Sequence, residues 1–405
     1  MEKRTLTLQD WALLISSATF KTSIIGFYLI ALITMLKDQG FTLNQLSWIY
    51  MLAGIEAAAC IISPLIERFS FKRFGHFKSW LFLSNLVMLV SFISLYFIQP
   101  QQHFITLLLI CAVFSLMSLF FSCATLGLTC SLLPFKKRGY GGAIQVGGAR
   151  IGKMIGGGLA LYLYQNFGWY SAISLMVLLS LLLGLQLLFY TEVAASGEQA
   201  EKVRLGFLFK RFIDFWQRPN VGYHWLILLF FSCIPSALVA TTFIPRLNEL
   251  GWQAQNIGLL LAIIIPLICI VILPLSGYFL QKYQRFQVIN TILLIQILLV
   301  ATFCFSEQLI RLDQYLIILP IVLLSVAYSF MLPIILTMLM DKADSKLATL
   351  DTSLQYTIVL LGAYLASFSA LRIVSFGGYT SVYLLATGFT VLIWLMVWFK
   401  RTAYT

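Results

Sequence analysis

The chain has 405 residues, of which 60% are hydrophobic and only 10% charged, yet its formal net charge is +12. Soluble domains carry about 25% charged residues, so a chain this poor in charge cannot cover a water-facing surface and reads as a membrane protein. Its basic residues stand in short clusters between long apolar runs, the pattern of membrane-protein loops, which argues against nucleic acid as their partner.

A spanning helix takes about 20 mostly apolar residues. In chain order such runs lie near 11–35, 44–66, 79–98, 105–133, 141–165 and 170–192. After a polar stretch they resume near 222–245, 255–279, 287–305, 315–340, 349–372 and 379–399. The expected fold is an all-α membrane protein of twelve transmembrane helices, with a six-helix half over 1–192, a linker over 193–221 and a second half over 222–405. Within the linker, Phe207 to Trp216 reads either as a connector or as an interfacial amphipathic helix. An even number of spans puts both termini on one side. Loops on that side carry twenty Lys and Arg and the opposite loops four, which places both termini in the cytoplasm. The first apolar run is too long for the core of a cleaved leader. All seven cysteines lie within apolar runs and none has metal-ligand spacing, so no disulfide, metal site or cofactor is expected.

The chain repeats itself at an offset of about 210 residues. Gly40-Phe41-Thr42-Leu43-Asn44-Gln45-Leu46-Ser47 returns as Gly251-Trp252-Gln253-Ala254-Gln255-Asn256-Ile257-Gly258. Pro64-Leu65 with Lys72 returns as Pro274-Leu275 with Lys282, Gln145 returns as Gln355, and Gly168-Trp169-Tyr170-Ser171 returns as Gly378-Tyr379-Thr380-Ser381. Two like-built membrane halves with a substrate site between them near the bilayer midplane are the mark of a secondary transporter.

Inside the expected spans stand three cations, Lys21, Arg150 and Lys153, and one clear acid, Glu56. At about 1.5 Å per helical residue all four come near the midplane, where a charge is expensive and normally faces water or a partner. Lys21 and Glu56 read either as a buried ion pair or as cavity groups, with Glu56 a candidate for proton coupling. One glutamate cannot neutralise three cations, so Arg150 and Lys153, three residues apart on one helical face, read as ligands for an anionic substrate. Gly148 and Gly152 project nearly opposite them and with Gly156 form a GxxxGxxxG seam, fit for close approach of another helix. Ser17, Lys21 and Tyr28 share a face of the first span. Ser115, Ser118, Ser122, Thr125 and Thr129 make a polar stripe on the fourth that serves either helix packing or a cavity wall. In the second half Gln355 and Tyr328 complete the expected substrate set of Lys21, Tyr28, Ser118, Ser122, Gln145, Arg150 and Lys153. Asp351 reads as a helix N-terminal carboxylate, with proton coupling as the alternative.

The loop Pro64-Leu65-Ile66-Glu67-Arg68-Phe69-Ser70-Phe71-Lys72-Arg73-Phe74 resembles the acid-Arg…basic loop between the second and third helices of the major facilitator superfamily, with Glu67 where aspartate is usual. Its continuation Gly75-His76-Phe77-Lys78-Ser79-Trp80 is similar to a run in the branch that holds the muropeptide permeases and the single-polypeptide siderophore permeases. Gln145-Val146-Gly147-Gly148-Ala149-Arg150-Ile151-Gly152 resembles that branch's fifth-helix pattern, and Gly26-Phe27-Tyr28 is similar to its siderophore members. The resemblance implies two six-helix halves related by a pseudo-two-fold axis. It also implies a cytoplasmic gate in which Glu67, Arg68, Lys72 and Arg73 make charge pairs and helix-end contacts that alternate as the halves rock.

These readings lead to a monomeric secondary transporter of a polar anionic small molecule in a bacterial inner membrane, working by alternating access and driven by protons. The favoured cargo is a ferric siderophore of the carboxylate class, imported. The alternatives are a muropeptide or peptide-sugar permease and, further off, an exporter of siderophores or drugs. An enzyme is disfavoured, since His76, His103 and His224 lie at helix ends or in loops and no segment holds paired carboxylates. No nucleotide-binding motif is present.

Overall fold

The computed structural model describes residues 6–41, 43–53, 55, 58–69, 75–192, 205–218, 221–253, 256–257, 259–306, 308, 310, 313–344 and 347–401. Every regular element among them is helical. We label the longer helices α1 (Leu8–Asp38), α2 (Leu43–Ala53), α3 (Ala59–Arg68), α4 (His76–Ser94), α5 (Phe104–Leu132), α6 (Arg138–Lys153), α7 (Ala160–Phe167) and α8 (Trp169–Phe189). They continue as α9 (Leu205–Asp214), α10 (Gly222–Ser232), α11 (Ile234–Glu249), α12 (Ile265–Lys282), α13 (Arg285–Cys304), α14 (Ile318–Lys342) and α15 (Ala348–Phe399).

Among the described residues, nine helices are long and apolar enough to cross a membrane. Three features separate that number from the twelve expected. The 52-residue α15 runs through both of the last two expected spans, broken only at Gly378. The second expected span is divided into α2 and α3, with Glu56 among the undescribed residues between them. The fifth, whose helix passes through a π-turn at Met154–Leu159, carries Arg150, Lys153 and several glycines, so apolarity alone passes over it.

Local chemistry explains the helix ends. Thr7 and Asp10 form a capping box, each side chain bonded to the other's backbone N–H, and Tyr190 donates to the buried Asp10 carboxylate at 2.9 Å. The start of α4 is capped from a distance: Glu192 accepts from Phe77 N at 3.2 Å and Lys78 N at 2.7 Å. The repeat is visible in backbone conformation. Gly40 and Gly251 have φ of +91° and +79°, and Gly168 and Gly378 have +84° and +71°. These are left-handed turns that glycine alone adopts cheaply, placed at matching points of the two repeats.

By their contacts the residues group into two compact units. The first comprises Met1–Leu132, Ile144–Phe209 and Asp344–Ser353, and the second Leu133–Ala143, Lys210–Ala343 and Leu354–Thr405. In the first unit α4 packs on α5 and α8, and α1 on α5 and the π-turn after α6. Phe92 stands at its centre, its ring 5.5 Å from Phe27 and 4.4 Å from Phe114. Asn85 and Ser180 exchange bonds of 3.0 and 2.9 Å, locking α4 to α8. In the second unit α14 packs on α12 and α13, and Phe303 stacks between Phe243 at 5.9 Å and Tyr383 at 5.4 Å. Large apolar side chains such as Phe97, Phe189, Val271 and Leu298 point outward, as lipid as solvent allows.

Candidate functional site

The first unit contains a close seam between α1 and α6, the two helices that carry Lys21, Arg150 and Lys153. Gly148, Gly152 and Gly156 of α6 and its π-turn face α1. A Cβ on Gly148 would come within 2.6 Å of Ala18 Cβ, one on Gly152 within 2.8 Å of Ser23 N, and one on Gly156 within 2.6 Å of Ser23 C. Thr22 bridges the seam by donating to Gly148 O at 3.1 Å. The π-turn Phe27–Ala31 of α1 packs against the π-turn Met154–Leu159. Single π-turns inside helices often mark functional sites, and nothing in the composition of either segment announces them.

Lys21 reaches across the seam. Its Nζ donates to Gln145 Oε1 at 2.7 Å, and Gln145 Nε2 donates to Thr129 Oγ1 of α5 at 3.0 Å. Thr129 in turn donates to Thr125 O at 2.7 Å. Gln145 precedes Gly148 by three residues, so it lies on the glycine face of α6. Arg150 is turned about 140–160° from Gln145 and Gly148, and Lys153 about 80–140°, at about 100° per helical residue. Arg150 is half-buried and Lys153 exposed. Tyr28 is fully buried, Ser118 is sealed and Ser122 half-buried. Of the polar stripe on α5, Ser115 donates to Leu52 O of α2 at 2.7 Å and serves packing, while Thr125 bonds back to Phe121 O of its own helix at 2.8 Å.

The second unit repeats the glutamine motif. Gln355 is wholly buried, accepts from Trp225 Nε1 of α10 at 2.7 Å and donates to Leu339 O of α14 at 3.2 Å. The Trp225 ring is covered by the Lys342 ammonium at 5.0 Å. Tyr328 is half-buried on α14. Neither Trp225 nor Thr129 stood out as a partner in the sequence. The signal available was the shared offset of Gln145 and Gln355, which marks a common role without naming what each touches.

Charged helix ends form two clusters. In the first unit Glu67 accepts from Thr349 N at 2.7 Å and Leu350 N at 3.4 Å, capping the start of α15, and His76 Nε2 lies 3.6 Å from its other oxygen. Asp351, in the first turn of α15, is buried and accepts from Asp344 N at 3.0 Å. Arg68 sits 5.4 Å over the Phe69 ring, while Lys72 and Arg73 lie outside the described residues, as does Glu56. In the second unit Asp341 holds two cations, Arg138 at 3.2 Å and Arg285 at 2.9 Å. Arg285 also donates to Phe135 O at 3.0 Å and covers its ring at 4.7 Å. Removing one partner of a buried ion group costs about 3–5 kcal/mol. Asp341→Asn is therefore expected to lower thermal stability in detergent clearly, as read by intrinsic fluorescence. A melting curve indistinguishable from wild type would show that the two arginines do not depend on this carboxylate.

Apolar helices that turn amide and basic side chains into the seams between them define a polytopic membrane protein. Residues 12–367 match the profile of the Major Facilitator Superfamily, and the chain belongs to that family. It is a multi-pass membrane protein of a family of transporters, not of enzymes. The anhydromuropeptide permease of Escherichia coli K12 is 27% identical over 237 residues, which are 56% of this chain and 46% of the permease. The match therefore spans about half the length of that relative. Among solved structures, the Escherichia coli fucose:proton symporter FucP superposes with a TM-score of 0.73 at 12% identity, over 96% of this chain and 98% of that one. The proton:xylose symporter XylE gives 0.68 at 14% identity, over 96% and 95%. At these identities the superpositions speak to fold.

Proposed function

We propose that the chain is a proton-driven importer of an anionic sugar-peptide of the anhydromuropeptide type, monomeric, in a bacterial inner membrane with both termini in the cytoplasm. In this reading twelve spans form two six-helix halves, and alternating access moves cargo past Lys21, Arg150 and Lys153. The observation that carries it is the placement of Lys21 at the seam between α1 and α6, where its ammonium donates to Gln145 Oε1 at 2.7 Å. The fifth span adds two more cations, and the spans of the same half supply one acid, Glu56. An excess of positive charge in a low-dielectric cavity favours a ligand bearing carboxylates. Glu56 and Asp351 are the candidates for the proton, and Glu67, Arg68, Lys72 and Arg73 for the gate.

Charge alone suits a citrate-type ferric siderophore equally well. The Gly26-Phe27-Tyr28 resemblance that favoured it has a packing explanation: a Cβ on Gly26 would stand 3.0 Å from Gly157 N and 3.1 Å from Lys153 Cα. Close helix approach favours glycine there whatever the cargo. The curated relative with its 27% identity tilts the reading toward the muropeptide. Proteoliposomes with an imposed proton gradient are expected to accumulate labelled anhydromuropeptide and to ignore a ferric carboxylate siderophore. The reverse pattern would replace the cargo assignment, and accumulation independent of the gradient would remove proton drive.

A further inference from the structure

Gln145 and Gln355 stand 210 residues apart, at one position of the repeat. Both are buried, at 4% and 0% exposure, and both use each end of the amide. Gln145 accepts from Lys21 of α1 and donates to Thr129 of α5, at 2.7 and 3.0 Å. Gln355 accepts from Trp225 of α10 and donates to Leu339 O of α14, at 2.7 and 3.2 Å. Thr129 and Leu339 are themselves 210 residues apart. Each glutamine therefore ties the fifth span of its repeat to the first and the fourth. Their position along the helix is also shared. By contacts, α6 divides between Ala143 and Ile144, and α15 between Ser353 and Leu354. Each glutamine is thus the second residue of the stretch that groups with its own repeat.

We infer that Gln145 and Gln355 are repeat-related positioning residues. Each anchors the shaft of a helix whose first turns group with the other unit, and Gln145 also sets the position of the Lys21 ammonium. A side-chain amide suits this role because it fixes one donor and one acceptor and carries no charge. Buried, it stays engaged, since a broken bond would leave a polar group without water. The anchors differ in what they hold. Gln145 grips a cation of the proposed ligand set, whereas Gln355 grips a neutral indole. The same substitution therefore acts on binding in one repeat and on the transport step in the other.

This inference rests on Lys21 facing the anionic cargo, and the test separates the two claims. Labelled anhydromuropeptide uptake is measured in proteoliposomes for Lys21→Met, Gln145→Asn and Gln355→Asn, where asparagine keeps the amide but is one methylene too short for both bonds. Lys21→Met is expected to raise KM about tenfold, Gln145→Asn to raise KM at least about threefold, and Gln355→Asn to lower Vmax at least about fivefold with KM little changed. The double variant Lys21→Met with Gln145→Asn should show no KM rise beyond Lys21→Met. Gln145→Glu, which keeps the reach but sets a carboxylate against the Lys21 ammonium, should raise KM without loss of fold. If Lys21→Met leaves KM unchanged, the cargo-binding reading of Lys21 falls. If Lys21→Met raises KM but Gln145→Asn and Gln145→Glu do not, only the positioning role falls. A wild-type Vmax in Gln355→Asn overturns the repeat-related anchor.

Discussion

Arg150→Gln is expected to lower the initial rate of anhydromuropeptide uptake at least about 100-fold while leaving insertion and melting close to wild type. Two unit charges 4 Å apart at an effective dielectric near 20 attract by about 4 kcal/mol, nearly three factors of ten in affinity. Glutamine keeps a polar group of similar length and loses that attraction. The fold should tolerate it because Arg150 is half-buried and lies away from the glycine face that packs on α1. Arg150→Lys, which keeps the charge but loses the planar fork, should fall between the two. Uptake rates at matched protein in proteoliposomes decide the matter, and a rate within twofold of wild type for Arg150→Gln would remove Arg150 from the substrate site.

Gly156→Ala should be the most damaging single methyl group in the first unit. The added Cβ would meet the Ser23 carbonyl oxygen, and would lie 2.6 Å from its carbon and 2.8 Å from Ser23 Cα. These are backbone atoms of α1, so relief requires the two helices to part. Overpacking of this kind costs about 3 kcal/mol at the upper end of its usual range, a fall in melting temperature on the order of 5–10 °C. Gly158→Ala is the internal control, since a Cβ there meets nothing within 4 Å. Thermal unfolding in detergent should separate the two variants clearly. Equal melting would mean that the glycine seam does not set the distance between α1 and α6.

The contrast between these glycines shows what was legible along the chain. The spacing of Gly148, Gly152 and Gly156 announced a packing face, because a helix brings residues four apart onto one side. That the partner is α1 at Ala18, Thr22 and Ser23 follows only from the folded structure. The polar stripe on α5 was legible as a stripe but not as packing or cavity, and it serves partly as packing, with Ser115 bonded to Leu52 O and Thr129 to Gln145. Gln145 and Gln355 were read as substrate ligands, and the structure places both amides in buried bonds between helices.

Composition, apolar run length and the internal repeat determined by themselves that this is an all-helical membrane protein, because lipid demands long helices and each helix satisfies its backbone within its own segment. The glycine turns at Gly168 and Gly378 followed the repeat for the same local reason. The tertiary structure alone decided the partners of the charged and amide side chains. Lys21 finds Gln145 across 124 residues, Arg138 finds Asp341 across 203, and Glu67 caps Thr349 across 282. A loop arginine chosen for topology and one chosen to hold a buried aspartate look alike in sequence. The difference lies in whether packing removes water from around the pair, and that is settled only when distant helices meet.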